Sequence, residues 1–390
     1  MPSITSIGTY LPCWGGRNSR VPGDDEDAVT LAVEAGRAAL AEGPPVERVV
    51  LVSRDLPLVD SSNAAVLLAG LGLDPELEVI ERLGGAPATL DALSSARPRT
   101  LVIGVDLEPA GAAAALVSER SGLQVRIASR VARSLPARTR NAVGAVHDYG
   151  DPRLLHERGL VASLSAAWLD TPVAVAGVDH KQAAAQCLTP PQLPTLGASS
   201  GLFALGWMAE HGADGLLVGV EQANLSGITV VPGVTEVRRV EPAPRELPAG
   251  EFVPGGDLPI SLAAYERAFE AKVRWEAGCH GGSAELDFPP RYRVGPDGKL
   301  STDYTLVPLP RTGTVYAETT VRIPVPGSRS PYSLVIVELD NVDVRALAKV
   351  TGADPATATI GTRGRMVLRR VAIRSGVPDY GYAFEPEEAA

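Results

Sequence analysis

Short runs of aliphatic and β-branched residues alternate with longer alanine-rich stretches over the first 240 residues. The runs are almost continuously apolar, which predicts buried strands at 4–11, 48–53, 77–82, 99–107, 172–179 and 214–221. The stretches between them have apolar residues at helical spacing, with Asp or Ser near several starts and Gly beyond several ends. They predict helices at 25–43, 61–72, 87–96 and 199–212. This alternation is typical of an α/β domain.

Two parts of this domain resemble each other. A helix, a strand and a turn of small residues follow one another at 87–115 and again at 199–226. The pattern predicts an internal duplication, with halves at about 1–140 and 141–240. The small-residue stretches at 104–116 and 197–202 lack the spacing of a P-loop or a dinucleotide fingerprint, so we interpret them as places of close helix packing.

The composition changes after Pro242, where a Pro/Gly-rich linker ends the first domain. A helix is predicted at 261–278, and a second linker runs through Pro289 and Pro290. Short strands with alternating pattern and tight turns follow and predict a small barrel. We therefore expect an α/β domain at 1–240, a linker and helix at 241–300, and a β-barrel domain at 301–390.

Charge and cysteine content narrow the function classes. The net charge of -10 removes the electrostatic attraction on which nucleic-acid binding depends, so we expect no nucleic-acid partner. The sequence has neither a secretory leader pattern nor an apolar run long enough to span a membrane. Cys13, Cys187 and Cys279 are too few and too scattered for a disulfide framework, which favours a reducing compartment. We expect a cytoplasmic protein with no membrane contact.

Several segments together resemble a known family arrangement. At the N-terminus they are IGTYLP at 7–12 and the stretch 22–40; toward the C-terminus they are 289–291, 309–321, 331–340, 360–370 and 376–386. They resemble proteins in which a 3-hydroxy-3-methylglutaryl-CoA synthase-like domain of the thiolase superfamily is fused to an OB-fold domain that accompanies acyl-CoA enzymes. The resemblance implies a layered αβαβα domain followed by a C-terminal OB-fold β-barrel.

The same resemblance implies three catalytic positions, and the chain departs from two of them. The family's acylated cysteine belongs in the turn GGAPATLDAL at 84–93, where this chain has Gly85 or Ala86, neither of which can form a thioester. The family's histidine corresponds to His180. The position of its asparagine falls at Pro194 and Thr195, which carry no amide side chain for an oxyanion hole.

The OB-fold domain of this family often begins with a zinc ribbon of four cysteines. Only Cys279 and His280 lie near that place, and two adjacent residues cannot supply a tetrahedral site. We expect no zinc and no other cofactor, with acyl-CoA as a possible ligand.

Three groups of residues have two interpretations each. His180 is either a residual acid/base or an ordinary hydrogen-bonded histidine, and Cys187 is either a displaced nucleophile or a small buried residue. The arginines Arg363, Arg365, Arg369, Arg370 and Arg374 either meet CoA phosphates or cover a solvated barrel face.

The leading hypothesis is a non-catalytic or atypical subunit of an acyl-CoA or acyl-carrier condensing or acyl-transfer complex. Such a subunit would form a homodimer, or a heteromeric complex with an active thiolase-superfamily partner, because the packing surface of a dimer does not depend on the cysteine. The alternatives are a free-standing acyltransferase of specialised metabolism that uses His180 as base, and a CoA-ligand binding protein. Whether the chain is an enzyme stays open at this point.

Overall fold

The computed structural model describes residues 1–390 except 42, 136–137, 142–143, 168, 188, 254–268, 282–284, 295–296, 324–328, 375 and 388–390. The described chain divides into two compact units. The first comprises Met1–Pro22, Leu31–Leu67 and Leu73–Arg245, and the second comprises Gly23–Thr30, Leu68–Gly72 and Glu246–Ala390.

Helices and strands alternate up to residue 107, as the hydrophobic pattern predicts, and runs of consecutive strands follow at 110–148 and 215–240. The helices are α1 Ala28–Leu40, α2 Ala64–Leu71, α3 Ala86–Ser95, α4 Pro152–Leu154, α5 Ala162–Ala167, α6 His180–Ala184 and α7 Ser200–Glu210, with a π-helix at Leu155–Val161. The strands are β1 Ser3–Tyr10, β2 Gly15–Gly16, β3 Ser19–Arg20, β4 Arg48–Ser53, β5 Glu78–Leu83, β6 Thr100–Leu107, β7 Ala110–Ser118, β8 Leu123–Ala132, β9 Arg138–Arg140, β10 Val146–Asp148, β11 Ala174–Ala176, β12 Gly215–Glu221, β13 Asn224–Val231 and β14 Glu236–Val240.

Ten of these strands form one mixed sheet in the order β11-β12-β13-β8-β1-β7-β6-β4-β5, with β14 paired to β1. In the first half, β4 is parallel to β6, and β7 is antiparallel to both β6 and β1. In the second half, β11 is parallel to β12, and β13 is antiparallel to both β12 and β8. The run β11-β12-β13-β8 therefore repeats the run β4-β6-β7-β1.

The second copy of this arrangement starts at β8, whose first residue is Leu123. The boundary between the halves thus precedes residue 123 and does not fall near 140, because the long strand β8 pairs with β13 and serves as the first strand of the second copy. The halves join where Ser3 and Ile4 of β1 pair with Gln124 and Leu123 of β8.

Helices α3 and α7 form a layer between the two halves. They contact each other, α3 contacts β6 as well as β12 and β13, and α7 contacts β7 as well as β11 and β12. Leu90 and Leu93 of α3 and Leu202 and Phe203 of α7 are buried in one core cluster with residues from both halves of the sheet. This is the mixed, layered α/β fold expected for the first domain.

The second unit contains the predicted barrel. The strands after residue 250 are β15 Glu251–Phe252, β16 Glu276–Cys279, β17 Leu286–Asp287, β18 Arg293–Val294, β19 Leu300–Ser301, β20 Thr305–Pro308, β21 Thr312–Val321, β22 Arg329–Ser330, β23 Tyr332–Leu339, β24 Arg345–Lys349, β25 Arg363–Arg374 and β26 Val377–Pro386. Five of them pair in the order β24-β23-β21-β25-β26, and a parallel bridge between Val350 and Phe384 closes the ring. The closed five-stranded sheet confirms the predicted β-barrel.

The helix expected at 261–278 falls partly on residues outside the described ranges, and its last residues belong to strand β16, which starts at Glu276. Strands β17, β16 and β20 form a small sheet ahead of the barrel.

A short acidic segment, Gly23–Thr30, belongs to the second unit although it precedes most of the first in sequence. The Arg370 amide donates to the Asp25 carbonyl at 2.8 Å, and the Tyr380 hydroxyl donates to Asp27 Oδ2 at 2.8 Å. Arg369 is 1% exposed and lies 3.6 Å from Glu26. Buried charges are retained where they are paired, and here the barrel strands supply the partners.

Among the described residues, no helix combines the length and apolar character required to cross a membrane.

Candidate functional site

The start of α3 is the place where the family resemblance puts an acylated cysteine. Gly85 is the residue before the first turn and has no side chain to cap the helix, and Pro87 follows within that turn. The first backbone N–H groups of a helix lack partners within it and carry a partial positive charge, so they attract an anion. The anion found there is a carboxylate of the protein itself.

Glu221, the last residue of β12, supplies this carboxylate. Its Oε2 accepts a hydrogen bond of 2.7 Å from the Gly85 amide, and its Oε1 lies 3.3 Å from Nη1 of Arg54. The side chains of Arg54 and Glu221 are 27% and 21% exposed. A carboxylate paired with an arginine therefore occupies the start of α3, where the resemblance puts the acylated cysteine.

The turn after Glu221 is held by contacts with the segment 159–163. Gln222 has a positive φ of 53°, and the buried Ser163 hydroxyl donates to the Ala223 carbonyl at 3.1 Å. A Cβ on Gly159, in the π-helix, would stand 2.4 Å from the Gln222 carbonyl oxygen, so only glycine permits this approach. These contacts hold the end of β12 where its carboxylate reaches α3.

A second buried carboxylate lies at the start of α7. Asp106 accepts hydrogen bonds from the Ala198 amide at 2.7 Å, the Ser199 amide at 2.9 Å and the Ser199 hydroxyl at 2.6 Å. The Thr195 hydroxyl lies 2.7 Å from the Ser199 hydroxyl, to which it donates because the latter donates to Asp106. Burial raises the pKa of Asp106, while the bonds from Ser199 and the charge of Arg54 act in the opposite direction.

Gly104 and Gly219 allow the two carboxylate-bearing strands to lie this close to the starts of α7 and α3. A Cβ on Gly104 would stand 2.4 Å from the Ala198 carbonyl oxygen, and a Cβ on Gly219 would stand 2.9 Å from the Ala86 carbonyl carbon. Each glycine comes two residues before the carboxylate, in Gly104-Val105-Asp106 and Gly219-Val220-Glu221. Strand β6 of the first half thus reaches the start of α7 in the second half, and strand β12 of the second half reaches the start of α3 in the first.

The structure also describes Ala86, Pro194 and Thr195, which stand at catalytic positions that the resemblance implies. Ala86 is fully buried, and Thr195 is fully buried in the Asp106 network described above. Pro194 beside it is partly buried. Neither Pro194 nor Thr195 carries an amide side chain.

His180 is the first residue of the short helix α6, which Asp179 caps through a 2.8 Å bond from the Gln182 amide. Its side chain is exposed. Three residues earlier, a Cβ on Gly177 would stand 3.3 Å from the Cβ of Ala86. The loop that leads to His180 therefore touches the start of α3, whereas the exposed imidazole makes no hydrogen bond with a described residue.

Cys187 is buried in a cluster with Val175, Val218 and Leu225. Its thiol donates to the Ala183 carbonyl at 3.1 Å. Burial raises the pKa of this thiol above its ordinary value, which lowers the fraction of reactive thiolate. These are the surroundings of a small apolar side chain rather than those of an activated nucleophile.

The barrel arginines are engaged with acidic groups of the second unit. Arg363 pairs with Asp340 at 2.9 Å, Arg365 with Glu385 at 2.5 Å, and Arg369 with Glu26 and Glu385 at 3.6 Å each. Arg370 donates to the Asp24 carbonyl at 2.9 Å. The side chain of Arg374 lies outside the described residues. Four of the five arginines thus already have anionic or carbonyl partners, which does not favour the interpretation that they bind CoA phosphates.

Cys279 and His280 stand near the place of the expected zinc ribbon, and His280 Nε2 lies 2.9 Å from the Arg291 carbonyl oxygen. Within the described ranges no three metal-ligating side chains come together. Asp287 is bonded instead to Arg291 at 2.9 Å and Arg293 at 2.6 Å, which lowers the pKa of its carboxyl, the bond from Arg293 having the largest effect.

Residues 306–369 match the family model described as the C-terminal OB-fold domain of ChsH2, which confirms the nature of the predicted barrel. The chain matches no curated protein.

Similar solved structures include the 3-oxoacyl-(acyl carrier protein) synthase III FabH of Pseudomonas aeruginosa, at 16% identity and a TM-score of 0.46 over 60% of this chain and 98% of that one. A crystal structure of OleA from Xanthomonas campestris is similar at 16% identity and a TM-score of 0.49, over 59% of this chain and 96% of that one. The acyltransferase ChlB3 is similar at 16% identity and a TM-score of 0.45, over 60% of this chain and 98% of that one.

Proposed function

We propose that the chain is a non-catalytic, thiolase-like subunit of an acyl-CoA or acyl-carrier condensing or acyl-transfer complex, paired with an active member of the superfamily. One observation supports this above the others: the start of α3 presents Gly85 and Ala86 and is occupied by the Glu221 carboxylate. Covalent acyl transfer needs a nucleophile at this point, and a carboxylate bonded to the helix end repels a second anion.

The other candidate groups do not replace the missing thiol. Cys187 is buried with a raised pKa, so it lacks the electropositive, accessible surroundings that activate a cysteine. His180 is exposed and lacks a described partner that would orient it as a general base. A free-standing acyltransferase would have to use one of these two residues.

The edge of the ten-stranded sheet supports the pairing part of the proposal. Strand β5 is the outermost strand and pairs with β4 alone among the described residues. Ile80 and Leu83 on it are 39% and 71% exposed. An edge strand with exposed apolar side chains is a template for pairing with another chain. In an antiparallel pair of two copies centred on Ile80, Glu78 of one would face Arg82 of the other.

The surroundings implied by this function are a cytoplasmic complex that handles acyl-CoA or acyl-carrier thioesters, without a metal in this chain. Three cysteines, too few and too scattered for a disulfide framework, suit a reducing compartment.

Turnover and covalent labelling test the proposal together. The purified chain is incubated with acyl-CoA, alone and with a co-purified thiolase-type partner, and CoA release and intact mass are recorded. We expect no adduct and no turnover by the chain alone, and an acyl adduct on the partner. Turnover by the chain alone that is lost in His180→Ala, or an acyl adduct on one of its own cysteines, would contradict the proposal.

A further inference from the structure

Strands β9 and β10 form a hairpin that is separate from the ten-stranded sheet. Its turn is closed locally, since the Ala145 amide donates to Asn141 Oδ1 at 2.9 Å. Among the described residues, the two strands contact each other and no other helix or strand to a comparable extent. Val146 is 43% exposed, and Tyr149 just after the hairpin is 71% exposed. Two strands without a covering layer are marginally stable alone, so a molecule that covers this hairpin would stabilise it.

The hairpin lies at the end of a strongly basic stretch. Residues 120–140 contain six arginines and neither Asp nor Glu, although the net charge of the whole chain is -10. The register places Arg138 opposite Asp148 and Arg140 opposite Val146. Alternate residues of a strand share one face, so Arg138 and Arg140 stand on the same face of β9. The hairpin therefore has two neighbouring cationic positions, and only one of them is opposite an acidic residue.

Arg133 joins the base of the hairpin to the helical segment 152–161. Its Nη1 donates to the Arg158 carbonyl at 2.7 Å. Arg153 in this segment has an 87% exposed side chain, and Asp151 lies 3.6 Å from it. A further exposed cation thus lies in the segment bonded to the base of the hairpin.

The distribution of charge over the chain selects among the partners that bind cations. A second copy would bring arginine to arginine, and like charges repel. Nucleic acids and anionic membranes are extended polyanions, and the acidic remainder of the chain opposes their approach. A short acidic segment of a protein meets the hairpin without extending over the rest of the surface.

We propose that the hairpin β9–β10 is a docking surface for an acidic segment of another protein. The Asp or Glu side chains of that segment pair with Arg138 and Arg140, because opposite charges on neighbouring strands stabilise a sheet. Its apolar residues cover Val146 and Tyr149, and as a third strand it supplies the support that two strands lack. The inference goes beyond the proposed function and does not depend on the missing cysteine.

A labelled peptide of alternating Glu and Thr tests the surface on the full chain. We expect saturable binding, followed by fluorescence anisotropy, that weakens as sodium chloride is raised. Arg138→Glu combined with Arg140→Glu should raise the Kd about tenfold, and the same two positions changed to Gln should have a smaller effect in the same direction. Hydrogen exchange of the hairpin amides should slow when the peptide binds, which locates the contact.

Two controls separate the hairpin from the net charge of the chain. Arg17→Glu combined with Arg322→Glu makes the same change in net charge at two exposed residues outside the hairpin, so the Kd should stay unchanged. A peptide of alternating Gln and Thr should not bind. No binding of the acidic peptide to the parent chain, or an equal Kd for the hairpin and control variants, would overturn the proposal.

Competition identifies the class of partner. Duplex DNA, and vesicles of phosphatidylcholine and phosphatidylserine, should displace the acidic peptide poorly because most of the chain repels them. Displacement by either one as efficient as by unlabelled acidic peptide would replace the protein partner with a nucleic acid or a membrane. None of these readouts involves acyl transfer, so their outcome and that of the turnover test are independent.

Discussion

Asp106 and Glu221 stand at equivalent positions of the two halves, and each accepts a backbone hydrogen bond from the helix start of the other half. These two carboxylates join segments that are far apart in sequence. Because Asp106 is 1% exposed and the Glu221 side chain is 21% exposed, we expect removal of each charge to affect stability unequally.

Asp106→Asn should destabilise the protein more than Glu221→Gln. An amide oxygen can replace one carboxylate oxygen, but the amide NH₂ would then face a donor at the start of α7, which costs ~1–3 kcal/mol when buried. Glu221 is partly exposed, so water can hydrogen-bond to the groups that a Gln side chain leaves unpaired. The expected loss in the free energy of unfolding is therefore ~1 kcal/mol or less. Urea unfolding of both variants measures the difference. A larger loss for Glu221→Gln would show that the two carboxylates do not have the roles described.

Gly104→Ala and Gly219→Ala should both destabilise the first unit. The added methyl groups would stand 2.4 Å from the backbone of Ala198, before α7, and 2.9 Å from that of Ala86 in α3. The backbone must therefore move, which we expect to lower the free energy of unfolding by ~1–3 kcal/mol in each variant. Gly16→Ala is the matched control because the nearest atom to its added Cβ is 3.9 Å away. Thermal unfolding compares the three variants, and equal stability of all of them would rule out the close packing.

The cysteines should react with iodoacetamide in a fixed order in the native protein. Cys279 is partly exposed and should be labelled first, whereas Cys13 and Cys187 are buried. Because the pKa of Cys187 lies above its ordinary value of 9.0, its labelling should also stay slow at mildly alkaline pH. Peptide mass spectrometry follows each site. Preferential labelling of Cys187 would instead point to a displaced nucleophile.

Acid should weaken the second unit through Asp287. Arg293 and Arg291 hold the pKa of its carboxyl below the ordinary value of 3.8, so the unfolded chain binds this proton more tightly than the folded one. The stabilisation is therefore complete above pH 3.8 and is lost as the pH falls through the lower, folded-state pKa. Asp287→Asn lacks this dependence, so the stability gap between parent and variant should be constant near neutral pH and shrink in acid. Urea unfolding at a series of pH values measures it; a gap that widens in acid would contradict the pairing.

The elements whose pattern is local were predictable from the sequence. Strand β4 spans the predicted 48–53, and β12 begins one residue after the predicted 214. Strand β7 was not expected as a strand: its stretch of alanines was interpreted as a place of helix packing, since alanine has low strand propensity. All nine of its residues are buried between β6 and β1, so its neighbours in the sheet determine its conformation.

The candidate site was only half predictable. The absence of a cysteine at 84–93 is visible in the sequence, and so are the two strands that end in Gly-Val-Asp and Gly-Val-Glu. That repeated triplet was the available signal for Asp106 and Glu221. Which helix each carboxylate reaches depends on the crossing of the two halves, and no local pattern contains that information.

The second unit takes Gly23–Thr30 from near the amino terminus and its barrel strands from the carboxyl-terminal part. During synthesis, Glu26 and Asp27 leave the ribosome more than 300 residues before their partners Arg369 and Tyr380. Until then, two acidic side chains at the start of α1 stay hydrated, and their stretch of chain cannot complete its packing. A gene fragment that encodes only the barrel would produce Arg369 without Glu26, a buried cation that has lost one of its counter-charges. This barrel is therefore not an interchangeable cassette: a recombination event that moved it would have to move or replace the two N-terminal segments of the second unit, Gly23–Thr30 and Leu68–Gly72.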